Sequence, residues 1–573
     1  MLFCGMGVLR TGAVVGLALL AGCYSGKHLE AGGGTDPDAG ASSGGADESS
    51  GDESGGEASC LPEGSSERAT LRRLTRQEYN NTVRDLLGDA TLPANALPSE
   101  ELANGFGNDA DAQAVSSLLA EQYNAVAEDI AERATETSAK LAELASCAAD
   151  ITETSDTASA DSCAAQLIED FLRRAYRRPV TATEVDELIA LSALIRDETD
   201  FATGIAGVLE AVLQSPDFLY RVERGYLDDA GRRRPTGHEM ATRLSYFFWG
   251  TMPDDDLGEA ADAGELTESD SILSHAERML DDDRSRPMVR FFFNNLLPIS
   301  SLASLERDAD RYPTYTPAIG ALMREETQHF LAYEIFEGTE TWDGVLTAPY
   351  TFVNESLAEF YGLSGVQGDA FVKVDLDTSQ RLGLLTQAGV VAGTIHSNET
   401  NPVVRGAFVM RKLMCTEIPL PEGDVLEDIK PPDPDSGATA RERYGQHSSD
   451  PVCAGCHSLM DPIGLTLENF DPVGLWRDTE NGVTIDATGA VPGVAPVDGP
   501  VELVQTIASA PRTHTCFAQR WSEFAYGRTH RADHACTLER LDAEFNDSGH
   551  DIRQLLLDLT QTDDFLFMPP EGT

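Results

Sequence analysis

Beyond residue 70 the apolar positions recur mostly at helical spacing. Tyr79, Val83, Leu86 and Leu87 share one face of a 3.6-residue period. Thr75 with Glu78 three residues later makes a capping box at the start of that run, and Gly88 supplies a stop. Thr181 with Glu184 and Thr236 with Glu239 repeat the start signal ahead of other amphipathic runs. The pattern predicts a mostly α fold, a multi-segment helical bundle. Strand alternation is confined to Ala370-Phe-Val-Lys-Val-Asp375 and Gly482-Val-Thr-Ile-Asp486, so few short strands are expected.

A longer-range echo overlies this periodicity. One segment runs from Phe171 to the Gln214-Ser-Pro-Asp-Phe-Leu-Tyr220 motif, and another from Phe517 to Gln561-Thr-Asp-Asp-Phe-Leu-Phe567. The opening and closing phenylalanines are 47 residues apart in the first copy and 48 in the second, which predicts a duplicated helical unit. Two such copies would pack as pseudo-symmetric halves around the segment between them.

The first residues follow a different pattern. Arg10 precedes the apolar run 13–20, which is too short to span a bilayer and reads as a secretory segment. It ends in Leu20-Ala-Gly-Cys23, the form of a bacterial lipobox, so Cys23 is expected to be lipidated and to become the mature N-terminus of an exported, membrane-anchored lipoprotein at the bacterial cell envelope, facing periplasm or exterior. Residues 24–67 are Gly, Ser, Asp, Glu and Ala with little to bury, a flexible linker between anchor and body.

Charge narrows the partners. With 96 acidic residues against 42 basic ones the net charge is −54, so nucleic acid is excluded as a partner by repulsion. A redox partner protein and the membrane reached through the lipid anchor remain.

The densest chemistry is Cys453-Ala-Gly-Cys456-His457. In an exported chain this C-x-x-C-H spacing suits covalent haem c: each thiol takes one vinyl group, and the adjacent imidazole becomes the proximal iron ligand. A distal ligand from His396 or Met414 would make an electron carrier, and an open position would admit small ligands. Arg405, Trp476 and Arg477 are candidate donors to haem propionates, and Asp461-Pro-Ile-Gly464 reads as a turn after the haem helix. Glu325, Glu326 and His329 have helical metal-ligand spacing, while His514, His530 and His534 read as surface residues. Six further cysteines suit an oxidising compartment, with sequence proximity pairing Cys147 with Cys163 and Cys516 with Cys536, and leaving Cys60 for Cys415.

Four stretches carry a family resemblance: Leu71-Arg-Arg-Leu-Thr-Arg-Gln-Glu through Gly88, Phe171-Leu-Arg-Arg-Ala-Tyr-Arg-Arg-Pro179, Arg243-Leu-Ser-Tyr-Phe-Phe-Trp249, and the haem motif with Glu468-Asn-Phe-Asp-Pro-Val-Gly-Leu-Trp-Arg477. The chain resembles large bacterial envelope proteins built from domains of unknown function numbered 1587, 1595, 1592, 1588 and 1585. After the lipoprotein signal peptide over 1–23 and the linker over 24–67, the resemblance implies helical domains over 68–150, 160–224 and 234–364, a haem c-like segment over 379–480 and a C-terminal helical domain over 495–570. It implies no reaction. The expected function is that of a lipid-anchored monohaem c-type cytochrome-like protein, transferring electrons or performing haem redox chemistry. The alternative is a non-redox envelope scaffold or binding module in which Cys453 and Cys456 form a disulfide.

Overall fold

The computed structural model describes residues 71–568 apart from 104, 153–154, 396–397, 419–436, 450 and 530–534. Cys23, the linker 24–67, Cys60, His396, His530 and His534 lie outside the described residues. The mostly α fold is observed, with 61% helix and, among the described residues, no sheet of more than two strands. None of the described helices is long and apolar enough to cross a membrane.

All three capping boxes form. Thr75, Thr181 and Thr236 each accept from the backbone three residues on, and Glu78, Glu184 and Glu239 bond back to the cap. Gly88 ends the first helix, Arg76–Leu87, in the left-handed conformation that its missing Cβ allows. Both anticipated strands are also present: Val372–Asp375 pairs with Tyr350–Val353, and Val483–Thr484 with Thr479–Glu480.

Apolar burial divides into two cores. The first packs Leu74 against Tyr79, Ile130, Leu172, Leu209 and Phe218 from helices before residue 220, with Tyr246 and Met252 joining from further on. The second gathers Phe106 and residues from Met240 to Phe567 and is built around stacked aromatics, with Phe292 on Trp521 at 3.7 Å and Trp342 on Phe517 at 4.1 Å. The segment carrying Cys453, Cys456 and His457 belongs to this second core.

The echo corresponds to repeated structure, in a shifted register. The first copy is Thr157–Tyr176, Ala182–Glu198, Phe201–Leu213 and Pro216–Leu219; the second is Pro511–Tyr526, Ala535–Asp547, Ile552–Thr560 and Asp563–Leu566. The long opening helices end in left-handed caps at Arg177 and Gly527. Aligning those caps sets Tyr176 against Tyr526 and Phe171 against Trp521, so Phe171 and Phe517 are not equivalent. Each closing helix is tied to an Arg-Arg pair preceding a capped helix. Leu74, after Arg72–Arg73, donates to the Leu219 carbonyl at 2.8 Å, and Met568 donates to the Arg233 carbonyl at 2.9 Å. The copies do not flank the Cys453–His457 segment: the first lies in the first core, and the second shares its core with that segment.

A buried charge cluster joins these parts. Arg243 grips Glu223 with two parallel bonds of 2.7 and 2.6 Å, while Arg72 and Arg221 stand near Glu223 and Glu78. Burial works against the Glu223 carboxylate, but Arg243, Arg72 and Arg221 outweigh it and hold its pKa down to about 2. The carboxyl binds its proton less readily folded than unfolded. Its stabilisation is therefore full above the ordinary value near 4.5 and is lost as pH falls toward about 2. Glu223→Gln should cost about 3–5 kcal/mol at neutral pH by leaving buried guanidinium groups unpaired. In denaturant titrations from pH 5 to pH 2, the wild type should lose stability more steeply than the variant; parallel pH profiles would refute the assignment.

Candidate functional site

Cys453, Cys456 and His457 lie on one helix, Pro451–Leu465. The i, i+3 and i, i+4 spacing puts both sulfurs and the imidazole on neighbouring positions of one face. Cys453 and Cys456 are half-buried thiols, and no disulfide joins them. His457 Nδ1 lies 3.1 Å from both carboxylate oxygens of Asp461, one turn further on and buried. With the Nδ1 proton donated to Asp461, the ring is oriented and Nε2 carries the lone pair.

The helix does not stop where the sequence suggested. Asp461-Pro-Ile-Gly464 is its last turn, with Pro462 inside the helix. The glycines here serve packing. A Cβ on Gly464 would come within 1.7 Å of the Pro402 carbonyl oxygen, and one on Gly406 within 1.9 Å of the Met460 carbonyl oxygen. Two backbones thus touch where Pro451–Leu465 crosses Pro402–Phe408, and a neighbouring strand approaches as closely, since a Cβ on Gly489 would meet the Pro462 oxygen at 2.0 Å.

Below this crossing lies a network of buried arginines. Arg405, 0% exposed, donates to the carbonyls of Leu467 and Phe470 at 2.9 Å each and to Glu468 at 3.2 Å. Glu468 also accepts from Thr400 at 2.5 Å and Arg477 at 3.1 Å. Burial nevertheless raises its pKa. Arg307 donates to the Pro472 carbonyl at 3.1 Å, Arg381 donates to that of Gly474, and Asp471 folds the same loop by accepting from Val473 and Leu475 at 2.9 Å. Arg443 extends the network to Glu480 at 3.1 Å.

These and neighbouring contacts correct two expectations. Arg405 and Arg477 are spent on Glu468 and backbone carbonyls, and Trp476 donates to Asp478 at 2.9 Å, so none of the three is held ready for a propionate. Glu326 turns inward to Thr351 and Tyr361, at 2.6 and 2.5 Å, while His329 is exposed and stacks on Phe371, so they do not converge on a metal. Met414 is buried in the second core beside Cys415.

The disulfides also differ in part. Cys147–Cys163 forms as expected, but Cys415 pairs with Cys516, 101 residues away in sequence. Proximity in sequence favoured Cys516 with Cys536, and packing of the Val409–Leu413 turn against Pro511–Tyr526 overrides it. Cys536 is itself disulfide-bonded.

Five family models match the chain in tandem. Each is described as a protein of unknown function: DUF1587 over residues 72–136, DUF1595 over 163–223, DUF1592 over 236–363, DUF1588 (short name PSCyt3) over 381–480 and DUF1585 over 495–565. No curated protein and no solved structure matches the chain. The DUF1588 match spans the motif helix together with Arg405, Glu468, Arg477 and Glu480. The Arg443–Glu480 and His457–Asp461 contacts were missed in the sequence; the second was detectable at i, i+4 once the helix runs through Pro462.

The crossing makes a paired prediction. Gly464→Ala should destabilise by about 1–3 kcal/mol or more, because its methyl meets fixed backbone. Gly455→Ala, inside the C-x-x-C-H motif, meets nothing within 4 Å and should leave the melting temperature within error of wild type. Thermal unfolding of both variants checks this, and equal melting temperatures would contradict the packing account.

Proposed function

We propose that the chain is an exported, lipid-anchored, monohaem c-type cytochrome-like protein that transfers electrons or performs haem redox chemistry at the cell envelope. One observation carries the reading: two thiols and an imidazole lie within five residues of one helix, with the imidazole oriented through Nδ1 by a buried carboxylate. This donor set suits haem c, which takes two thioether links and one axial nitrogen. Cys453 and Cys456 would hold the porphyrin and His457 would ligate the iron through Nε2. Asp461 would orient that ligand by accepting a hydrogen bond from Nδ1–H. The bound group would supply one-electron chemistry. The short name PSCyt3 of the family model over this segment agrees with the reading.

A second reading is a non-redox envelope scaffold. The disulfides Cys147–Cys163 and Cys415–Cys516 favour it, since they and the buried arginine network brace a helical body without any cofactor.

The full chain, produced with a cytochrome c maturation system, should give a haem-staining band on a denaturing gel and a Soret absorption. A variant carrying Cys453→Ala and Cys456→Ala should lose the stain. A matured wild-type protein with neither stain nor Soret band would leave the scaffold.

A further inference from the structure

Asp343, His514 and His550 come from three separate parts of the second core and meet at one point. Asp343 lies in the first turn of Trp342–Thr347, His514 in the first turn of Pro511–Tyr526, and His550 just before Ile552–Thr560. One ligand atom of each lies within 4.8 Å of the other two. The carboxylate divides between the rings: Oδ1 is 2.9 Å from His514 Nε2, and Oδ2 is 2.9 Å from His550 Nδ1. The Ala508 carbonyl oxygen is also 2.9 Å from His514 Nε2.

Each His–carboxylate separation has the length of one edge of a coordination polyhedron, and the three donor groups as a set lie within 4.8 Å of one another. Metal–ligand bonds of about 2.0–2.2 Å at cis or tetrahedral angles put neighbouring donors roughly 2.9–3.4 Å apart. Hydrogen bonding alone accounts for the cluster less well, since the single proton of His514 Nε2 faces two acceptor oxygens. The rings stack with centroids 3.5 Å apart and planes 17° from parallel, so binding one ion would require them to splay until both nitrogen lone pairs meet at it.

The backbone supports the convergence. His550 sits in the left-handed region at φ 64°, unusual for a residue with a Cβ. Its carbonyl accepts from Trp342 at 2.9 Å, and Ile552 donates to Glu340 at 2.8 Å, so the loop is fastened on both sides of the histidine to the segment carrying Asp343. Contrary to the surface expectation, His514 is only 5% exposed, whereas the Asp343 side chain is 44% exposed and gives an ion access to solvent.

We propose that Asp343, His514 and His550 bind a divalent transition-metal ion of the zinc class, with the Ala508 carbonyl or water completing the shell. Two imidazoles and one carboxylate match the preference of such ions. The ion would tie the DUF1592-matched segment to the DUF1585-matched segment. The site is independent of haem.

The test is Zn²⁺ titration of the chelator-treated full chain by calorimetry, with Cys453→Ser and Cys456→Ser present so that motif thiols do not compete. One equivalent should bind and raise the melting temperature. Asp343→Asn and His514→Gln should each weaken binding at least tenfold and abolish the thermal shift, and His550→Gln serves if either fails to fold. Co²⁺ in the same protein should show d–d bands without thiolate charge transfer. Absence of Zn²⁺ binding, or unchanged affinity and thermal shift in the folded variants, would overturn the proposal and leave a carboxylate bridging two histidines by hydrogen bonds alone.

Discussion

The buried pair of Arg405 and Glu468 is the contact on which the motif segment depends. A guanidinium with no solvent exposure is tolerable only where its charge is answered, and Arg405 meets Glu468 and a series of backbone carbonyls through its two terminal nitrogens, with Nε left unpartnered. Those carbonyls belong to the loop after the motif helix, so one side chain fixes where that helix ends and how the chain turns back. Arg307 and Arg381 hold the next carbonyls of the same loop. The result is an irregular stretch whose polar backbone is satisfied by arginines in place of a sheet.

Above this clamp the packing leaves little freedom. Gly406 and Gly464 let two helices meet backbone to backbone, and the Cys415–Cys516 disulfide joins the far end of the same region to Pro511–Tyr526. Cross-linking residues 101 apart removes much chain entropy from the unfolded state, about 4–5 kcal/mol in a loop-closure account. The thiols and imidazole are therefore displayed on a helix braced from several directions. Such rigidity suits a centre whose ligand geometry must stay fixed, and it would serve a scaffold equally well.

Signals confined to a few residues were the most legible in the sequence. The three capping boxes, the Gly88 stop and both short strands follow from local chemistry, and the C-x-x-C-H motif needs only its own spacing. Features set by tertiary packing were not legible. Pro462 and Gly464 have turn composition, yet the glycine is needed for close approach and the helix continues through the proline. Arg405 and Arg477 looked available because sequence cannot show that Glu468 is buried between them. His514 looked exposed because its partners, Asp343 and His550, are distant in sequence or lie beyond another helix. The disulfide of Cys516 followed three-dimensional proximity, which local spacing misjudged.

If Arg405 is what secures the motif helix, weakening that one residue should loosen the helix locally. Arg405→Lys keeps the charge but loses the forked donors, so the direct measurement is amide hydrogen exchange of this variant against wild type. The account predicts faster exchange across residues 453–477, with protection of the first-core helix Arg76–Leu87 unchanged. Unaltered protection across 453–477 in the folded variant would contradict it.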